Sequence, residues 1–267
     1  MGIFGGMGES GEWIATIVAV VLLTALATAG LIGFRIPQPL AAVTALGRAV
    51  LQLGLLSLIL AGILQDPLLV GIGLAVMFVA AVGTAARRAR ATGRQLTSVA
   101  VAMLLGPLAV MTIVFATGAL AFEPRYLLAV GGIVIGNTMT IAVITERTYR
   151  STLTDRWSEV EGWLALGATP RIATADIARS SIHTALLPSI DQTRTTGIVV
   201  LPGAFVGAIF GGASPLEAAR FQIVVLACIL AGGVITASVL TRLTTAAVVR
   251  PDQPAKRSTG AADSITS

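Results

Sequence analysis

The stretch Glu161–Gly203 reads EGWLALGATPRIATADIARSSIHTALLPSIDQTRTTGIVVLPG. It is the longest part of the chain without the composition of a membrane span. Gly167 and Pro170 sit inside it at a helix-turn-helix spacing, polar side chains gather in its last third, and Leu201-Pro202-Gly203 leads into another apolar run. Sequence on either side is apolar over lengths that match a bilayer. This segment is therefore where a water-soluble partner can take hold.

Working outward, runs long enough to cross the hydrocarbon core lie at about 14–34, 47–64, 67–86, 97–120, 127–145 and 221–241. A shorter run, Gly197–Gly212, either enters a thinned or re-entrant region or is completed by residues from Leu187 onward. Counted as a span over about 190–212, it makes seven. The composition agrees with an all-α polytopic membrane protein: 55% of the 267 residues are hydrophobic, 12% are charged, and the mean hydropathy is +0.89.

The arginines set an orientation. With the N-terminus outside, all but Arg125 and Arg220 of the 18 basic residues fall on the inner side. The positive-inside rule then predicts N-out and C-in, which needs an odd number of spans. Glu9 and Glu12 before the first span fit an outer N-terminus over 1–13. No Lys or Arg precedes Arg35, so the first run lacks a signal peptide's basic region and is expected to stay in the mature chain. The sequence pI of about 10.6 comes from cations scattered at the ends of apolar runs without interleaved aromatics. That pattern orients helices and excludes a nucleic-acid surface.

Between spans five and six, residues 146–189 form the long inner segment. Leu153, Trp157, Val160 and Leu164 recur at helical spacing with charges between them, which predicts an amphipathic helix at the inner membrane surface. Gly167 ends it, Thr169 caps the next helix, Pro170 suits its first turn, and that helix stops before Pro188. The tail from Arg250 to Ser267 has the composition of a disordered segment.

Several chemistries are excluded. The one lysine, Lys256, follows no Gly-rich segment, so a phosphate-binding loop that cradles ATP is absent. The one histidine, His183, lacks companions at ligand spacing and reads as an interface residue rather than a metal ligand or pH sensor. The one cysteine, Cys228, sits in an apolar run, and Met77, Met103, Met111 and Met139 are scattered as packing residues. No catalytic pair, metal site or cofactor motif is visible. No carboxylate or histidine falls near the middle of a span, which argues against ion-coupled transport. Arg48, at a span end, can snorkel.

Gln52, Asn137 and Gln222 are amides at membrane depth and need partners; they serve either as interhelical glue or as lining of a path. Gly203, Gly207 and Gly211 form a GxxxGxxxG ridge, echoed by Gly132 and Gly136, which predicts close helix packing. Pro202 is expected to kink the helix beside that ridge.

With these residues in view, the sequence resembles the FetB-type ABC permease family, bacterial iron-export permeases with plant aluminium-tolerance relatives. The resemblance runs from about Gly47 to Leu240. It rests on GRAVLQL at Gly47–Leu53, GGIVIGNTM at Gly131–Met139, LALGATP at Leu164–Pro170, RSSIHTALLPSID at Arg179–Asp191, TGIVVLPG at Thr196–Gly203 and P-x-x-A-x-x-x-Q at Pro215–Gln222. It implies a bacterial cell-membrane permease subunit, paired with a second copy of itself and with a separate ATPase that supplies ATP hydrolysis. The inner segment also looks loosely like the coupling loop of ABC importers, since Glu161, Gly167 and Ile177 keep that spacing. The loop's alanines are replaced by Gly162 and Trp163, and its Leu-Pro is displaced to Leu187-Pro188.

The expected ATPase contact is Glu161, Gly167, Ala168, Thr169, Pro170 and Arg179. Expected path or packing residues are Arg48, Gln52, Gly136, Asn137, Asp191, Pro202, Gly203, Gly207, Gly211 and Gln222. The cargo implied by the resemblance is iron or another metal. A secondary carrier or channel without an ATPase, and a membrane scaffold or sensor, are the competing readings.

Overall fold

The computed structural model describes residues 9–63, 66–91 and 93–245. These residues form ten α-helices and no strand, with one isolated bridge between Thr196 and Val200. The chain is an all-α polytopic membrane protein. Five helices are long and apolar enough to cross a bilayer: Trp13–Gly33, Pro67–Ala89, Gln95–Ala116, Pro124–Asp155 and Pro215–Thr245. At about 1.5 Å per residue each exceeds the ~30 Å hydrocarbon thickness. The expected tail over 250–267 lies outside the described residues, as does most of the expected N-terminal segment 1–13.

Two compact units divide the chain at Gln65/Asp66. The first holds α1 (Glu9–Gly33) and α2 (Ala41–Ile63), which pack as a hairpin. Arg35 and Gln38, at φ +52° and +65°, help reverse the chain around Pro37. Apolar side chains point outward all round these helices; Leu26 and Leu51 are among the most exposed. A helix apolar on every side is covered by lipid or by protein. The described apolar part of α2, Ala41–Ser57, begins six residues before the expected start at Gly47.

In the second unit α3 (Pro67–Ala89), α4 (Arg94–Ala116), α5 (Pro124–Asp155) and α10 (Pro215–Thr245) form the bundle. Local signals fix their ends. Asp66 Oδ1 accepts from the Leu68 N–H at 2.8 Å, with Pro67 in the first turn of α3. Ser214 and Glu217 make a reciprocal capping box at the start of α10: the Ser214 N–H donates to Glu217 Oε2 at 2.9 Å, and the Glu217 N–H donates to Ser214 Oγ at 3.3 Å. Small buried residues let the helices approach. A Cβ on Gly106 would overlap Thr236 Oγ1 and lie 2.6 Å from the Gly232 carbonyl oxygen, so α4 and α10 meet almost backbone to backbone.

Four further helices complete the unit: α6 (Trp157–Ala165), α7 (Pro170–Ala173), α8 (Ala175–Thr195) and α9 (Gly203–Phe210). Several expectations change here. Helix α8 does not stop before Pro188; Pro188 lies inside it. Burial of Ala185, Leu186 and Ser189 holds helix on both sides of the proline. The stretch 190–212 is not one helix. α8 ends at Thr195, Gly197 takes φ +85°, Thr196 bridges Val200, and the eight-residue α9 follows. Pro202 therefore does not kink a helix; its extended backbone starts α9. The ridge of Gly203, Gly207 and Gly211 meets no neighbouring element: a Cβ on the first two finds open space, and on Gly211 only the backbone of α9 itself. α9 is too short to lay a ridge along another helix.

Candidate transmission knot and translocation groove

Helix α5 continues ten residues past the expected end of span five at 145, and this extension organises one end of the bundle. The backbone carbonyls of Arg88 and Arg90, at the end of α3, gather there with Gln95 of α4 and the last turns of α5 and α10. Glu146 is 2% exposed, and its Oε1 accepts from Arg150 Nε at 2.9 Å. Thr244 Oγ1 of α10 lies 3.5 Å from Glu146 Oε2. Arg150 also donates to Gln95 Oε1 and to the Arg90 carbonyl at 3.4 Å, and Arg147 Nε donates to the Arg88 carbonyl at 2.9 Å. A buried carboxylate requires such pairing, and a guanidinium on carbonyls at a helix C-terminus also meets the negative end of the helix dipole. The network ties α3, α4, α5 and α10 together.

Below it lies a knot. Tyr149 and Leu153 of α5, Val160 of α6, Ala173 of α7 and Ile177 of α8 form one buried cluster, with Trp157, Leu164 and Ala178 against it. The apolar stripe of Leu153, Trp157, Val160 and Leu164 thus faces this cluster rather than lying flat on a bilayer. Gly167, at φ +88°, closes a Schellman turn: its N–H donates to the Leu164 carbonyl and the Ala168 N–H donates to the Trp163 carbonyl, both at 3.0 Å. Thr169 precedes Pro170 with extended backbone but makes no side-chain cap. Glu161, Gly167, Thr169, Pro170 and Arg179 are exposed and Ala168 is half-buried, so the expected contact residues do sit on the outside of the knot. Arg179 pairs with Asp176 at 2.9 Å in water, a contact of little energetic weight.

Sequence reasoning missed the apolar side chains among them. Leu166 is 83% exposed and Ile172 61%, and Trp163 is exposed beside them. Residues that break the periodic stripe, flanking a glycine turn, were the available signal.

From the knot α8 runs antiparallel to α5. Ile177 meets the Tyr149 cluster, while Ala185 and Leu186 pack on Ile141 and Ala237. Further along, the two helices part around a cavity of about 120 Å³ lined by Asn137, Thr140, Ile144, Pro188, Ser189 and Gln192. Asn137 Nδ2 donates to the Ile133 carbonyl at 2.9 Å. Gly136 is exposed on α5 with open space around it, and Asp191 is exposed on α8, paired with Arg194 at 3.5 Å. The other expected path residues are not brought here. Gln222 is buried on α10 near Val225, its Oε1 without a partner among the described residues. Arg48 and Gln52 are exposed on α2 in the first unit.

Opposite the knot, the α4–α5 and α9–α10 loops enclose a cavity of about 790 Å³. Glu123, Arg125, Tyr126, Glu217 and Arg220 give it charge of both signs. Arg125 pairs with Glu123 at 2.6 Å and lies 4.9 Å from the centre of the Tyr126 ring, and Arg220 donates to the Ala119 carbonyl at 3.0 Å. The segment α8–α9 therefore carries the chain from the knot to the opposite end of the bundle. No cluster of three His, Cys, Asp or Glu able to hold a metal occurs among the described residues.

The family described as "Uncharacterised protein family (UPF0014)" matches residues 13–249. The rice UPF0014 membrane protein STAR2 is 39% identical over 74% of this chain and 70% of its own. The Arabidopsis thaliana protein ALUMINUM SENSITIVE 3 is 36% identical over 67% of this chain and 66% of its own. The probable iron export permease protein FetB of Escherichia coli is 29% identical over 67% of this chain and 70% of its own. No solved structure matches the chain.

Proposed function

Because this chain belongs to the UPF0014 family, we propose that it is the membrane-embedded permease subunit of an ATP-driven exporter. The ATPase is a separate protein that docks on the knot. The observation that carries this reading is the pairing of α5 with α8: both enter the knot at one end, and both line the polar groove further along. A push on α6 and α7 moves α8 relative to α5 and changes the width of the groove. Pro188, which removes a backbone donor where α8 passes the groove, gives that helix a place to bend.

The exposed Trp163, Leu166 and Ile172 around Gly167 supply an apolar contact for the ATPase, with Glu161 and Arg179 at its rim. The arginine-rich end faces the cytosol under the positive-inside rule, which supports seven crossings, N-out and C-in, in a bacterial cell membrane. Two copies of the permease face each other above two ATPase subunits. The similarity to FetB, a probable iron export permease, supports iron or another metal as cargo and export as direction.

The test is reconstitution of the full-length chain with a candidate ABC ATPase from the same organism, measuring ATP hydrolysis across a panel of metals and chelates. The reading expects stimulation by a subset of cargoes and ATP-dependent flux. Solute flux through the chain alone, without ATP, would make it a carrier or channel instead.

A further inference from the structure

We infer that the cavity of about 790 Å³ opposite the knot is a lipid-headgroup site, and that it takes a zwitterionic headgroup in which a phosphate is paired with a primary ammonium. The site stands apart from both the α5–α8 groove and the ATPase contact.

Its depth follows from the helices that frame it. α4 ends at Ala116, α5 begins at Pro124 and α10 begins at Pro215. All three are long and apolar enough to cross a bilayer, so a cavity that caps these ends lies at headgroup level. Phe122, Phe210 and Leu216, each next in sequence to a lining residue, are exposed. They offer acyl chains an apolar surface beside a charged hollow. Tyr126 and Phe221, with ring centres 5.8 Å apart, add an aromatic wall of the kind that borders headgroups.

Of the arginines on α3, α4, α5 and α10, only Arg125 and Arg220 lie at this end, and both line the cavity. Arg125 spends Nε on Glu123, and Arg220 spends an Nη2 N–H on the Ala119 carbonyl. Neither contact uses more than one of the five guanidinium N–H groups, which leaves a fork of donors on each for a phosphate. Glu123 and Glu217 line the cavity as well, so its formal charges cancel. Glu123 meets Arg125 through Oε2, and Glu217 caps α10 through Oε2. Oε1 of each carboxylate is left for an ammonium.

This balance selects the class. An anionic headgroup would satisfy the arginines and be repelled by the two carboxylates. A quaternary ammonium carries no N–H to donate to them, whereas a primary ammonium carries three. A bare inorganic ion is too small, because the cavity has room for about 26 waters at ~30 Å³ each.

Native mass spectrometry of the full-length chain in detergent, titrated with phosphatidylethanolamine, phosphatidylcholine and phosphatidylglycerol, tests the site without an ATPase. Phosphatidylethanolamine is expected to bind about fivefold tighter or more than the other two. The double variant Arg125→Ala/Arg220→Ala brings it down to their level. Arg220→Gln alone, which keeps the Glu123–Arg125 pair, lowers it partway, and Arg242→Ala at the opposite end of α10 leaves it unchanged. Size-exclusion profiles matching wild type show that the variants are folded. The inference is overturned if the three lipids bind alike, if the folded double variant keeps the preference, or if Arg242→Ala abolishes it as well. Displacement of the lipid by an equal concentration of soluble glycerophosphoethanolamine would also overturn it, because the occupant would then be a solute and not a membrane lipid.

Discussion

Two helix pairs in the second unit pack in opposite ways. Along α4 and α10, Gly106 lies against Gly232 and Thr236 with no space for a Cβ, and the surrounding Val110, Val134 and Val225 are buried. Along α5 and α8, the helices separate around a cavity lined by Asn137, Thr140, Ser189 and Gln192, and one carries an internal proline. The first pair has one tight arrangement, because any sliding breaks backbone-level contact. The second pair has slack, and it is the pair joined to the exposed knot. A transporter needs both, a frame that stays and a seam that moves.

The largest expected effect comes from forcing the frame apart. Gly106→Leu overpacks α4 against α10 and destabilises the fold by roughly 3 kcal/mol or more, read as lost yield of monodisperse protein and a lower melting temperature. Next comes the network at the arginine-rich end. Glu146→Ala leaves Arg150 with only Gln95 and a carbonyl and costs about 2 kcal/mol; a melting temperature equal to wild type would show that the network does not hold the frame. Substitution in the moving seam behaves differently. Pro188→Ala restores a helical donor and raises stability by about 1 kcal/mol, yet cuts ATP-driven flux several-fold because α8 no longer bends. Asn137→Leu changes melting by less than about 0.5 kcal/mol equivalent while lowering flux; normal flux with normal expression would remove Asn137 from the path.

The same contrast explains what could be read in the sequence. Long apolar runs made the spans of α1, α3, α4, α5 and α10 legible, since most residues in them are apolar whichever way they face. Helix α8 was only half legible. It buries one narrow face against α5 and α10 and carries Asp176, Arg179, Asp191 and Arg194 on the others, so its average polarity hides its place in the bundle. Proline read as a stop at Pro188 because helix propensity was weighed without the tertiary packing that overrides it. The glycine ridge of α9 was a repeating motif without a partner, whereas Gly106 makes the tightest contact and belongs to no GxxxG repeat. At the knot, the backbone logic of Gly167 and Pro170 was readable from local chemistry. The exposed Leu166 and Ile172 were missed although they fall off the periodic stripe beside the glycine turn, because an apolar residue is read first as core.

The central claim, that α5 and α8 move against each other while α4 and α10 do not, is tested most directly by electron–electron distance measurements. Spin labels at Gly136→Cys and Asp191→Cys report the seam, and labels at Leu105→Cys and Val234→Cys report the frame, each in a Cys228→Ser chain bound to the proposed ATPase. Adding a non-hydrolysable ATP analogue is expected to shift the seam distance by on the order of 2–5 Å and to leave the frame distance in place. An unchanged seam, or a frame that shifts by as much, would contradict the account.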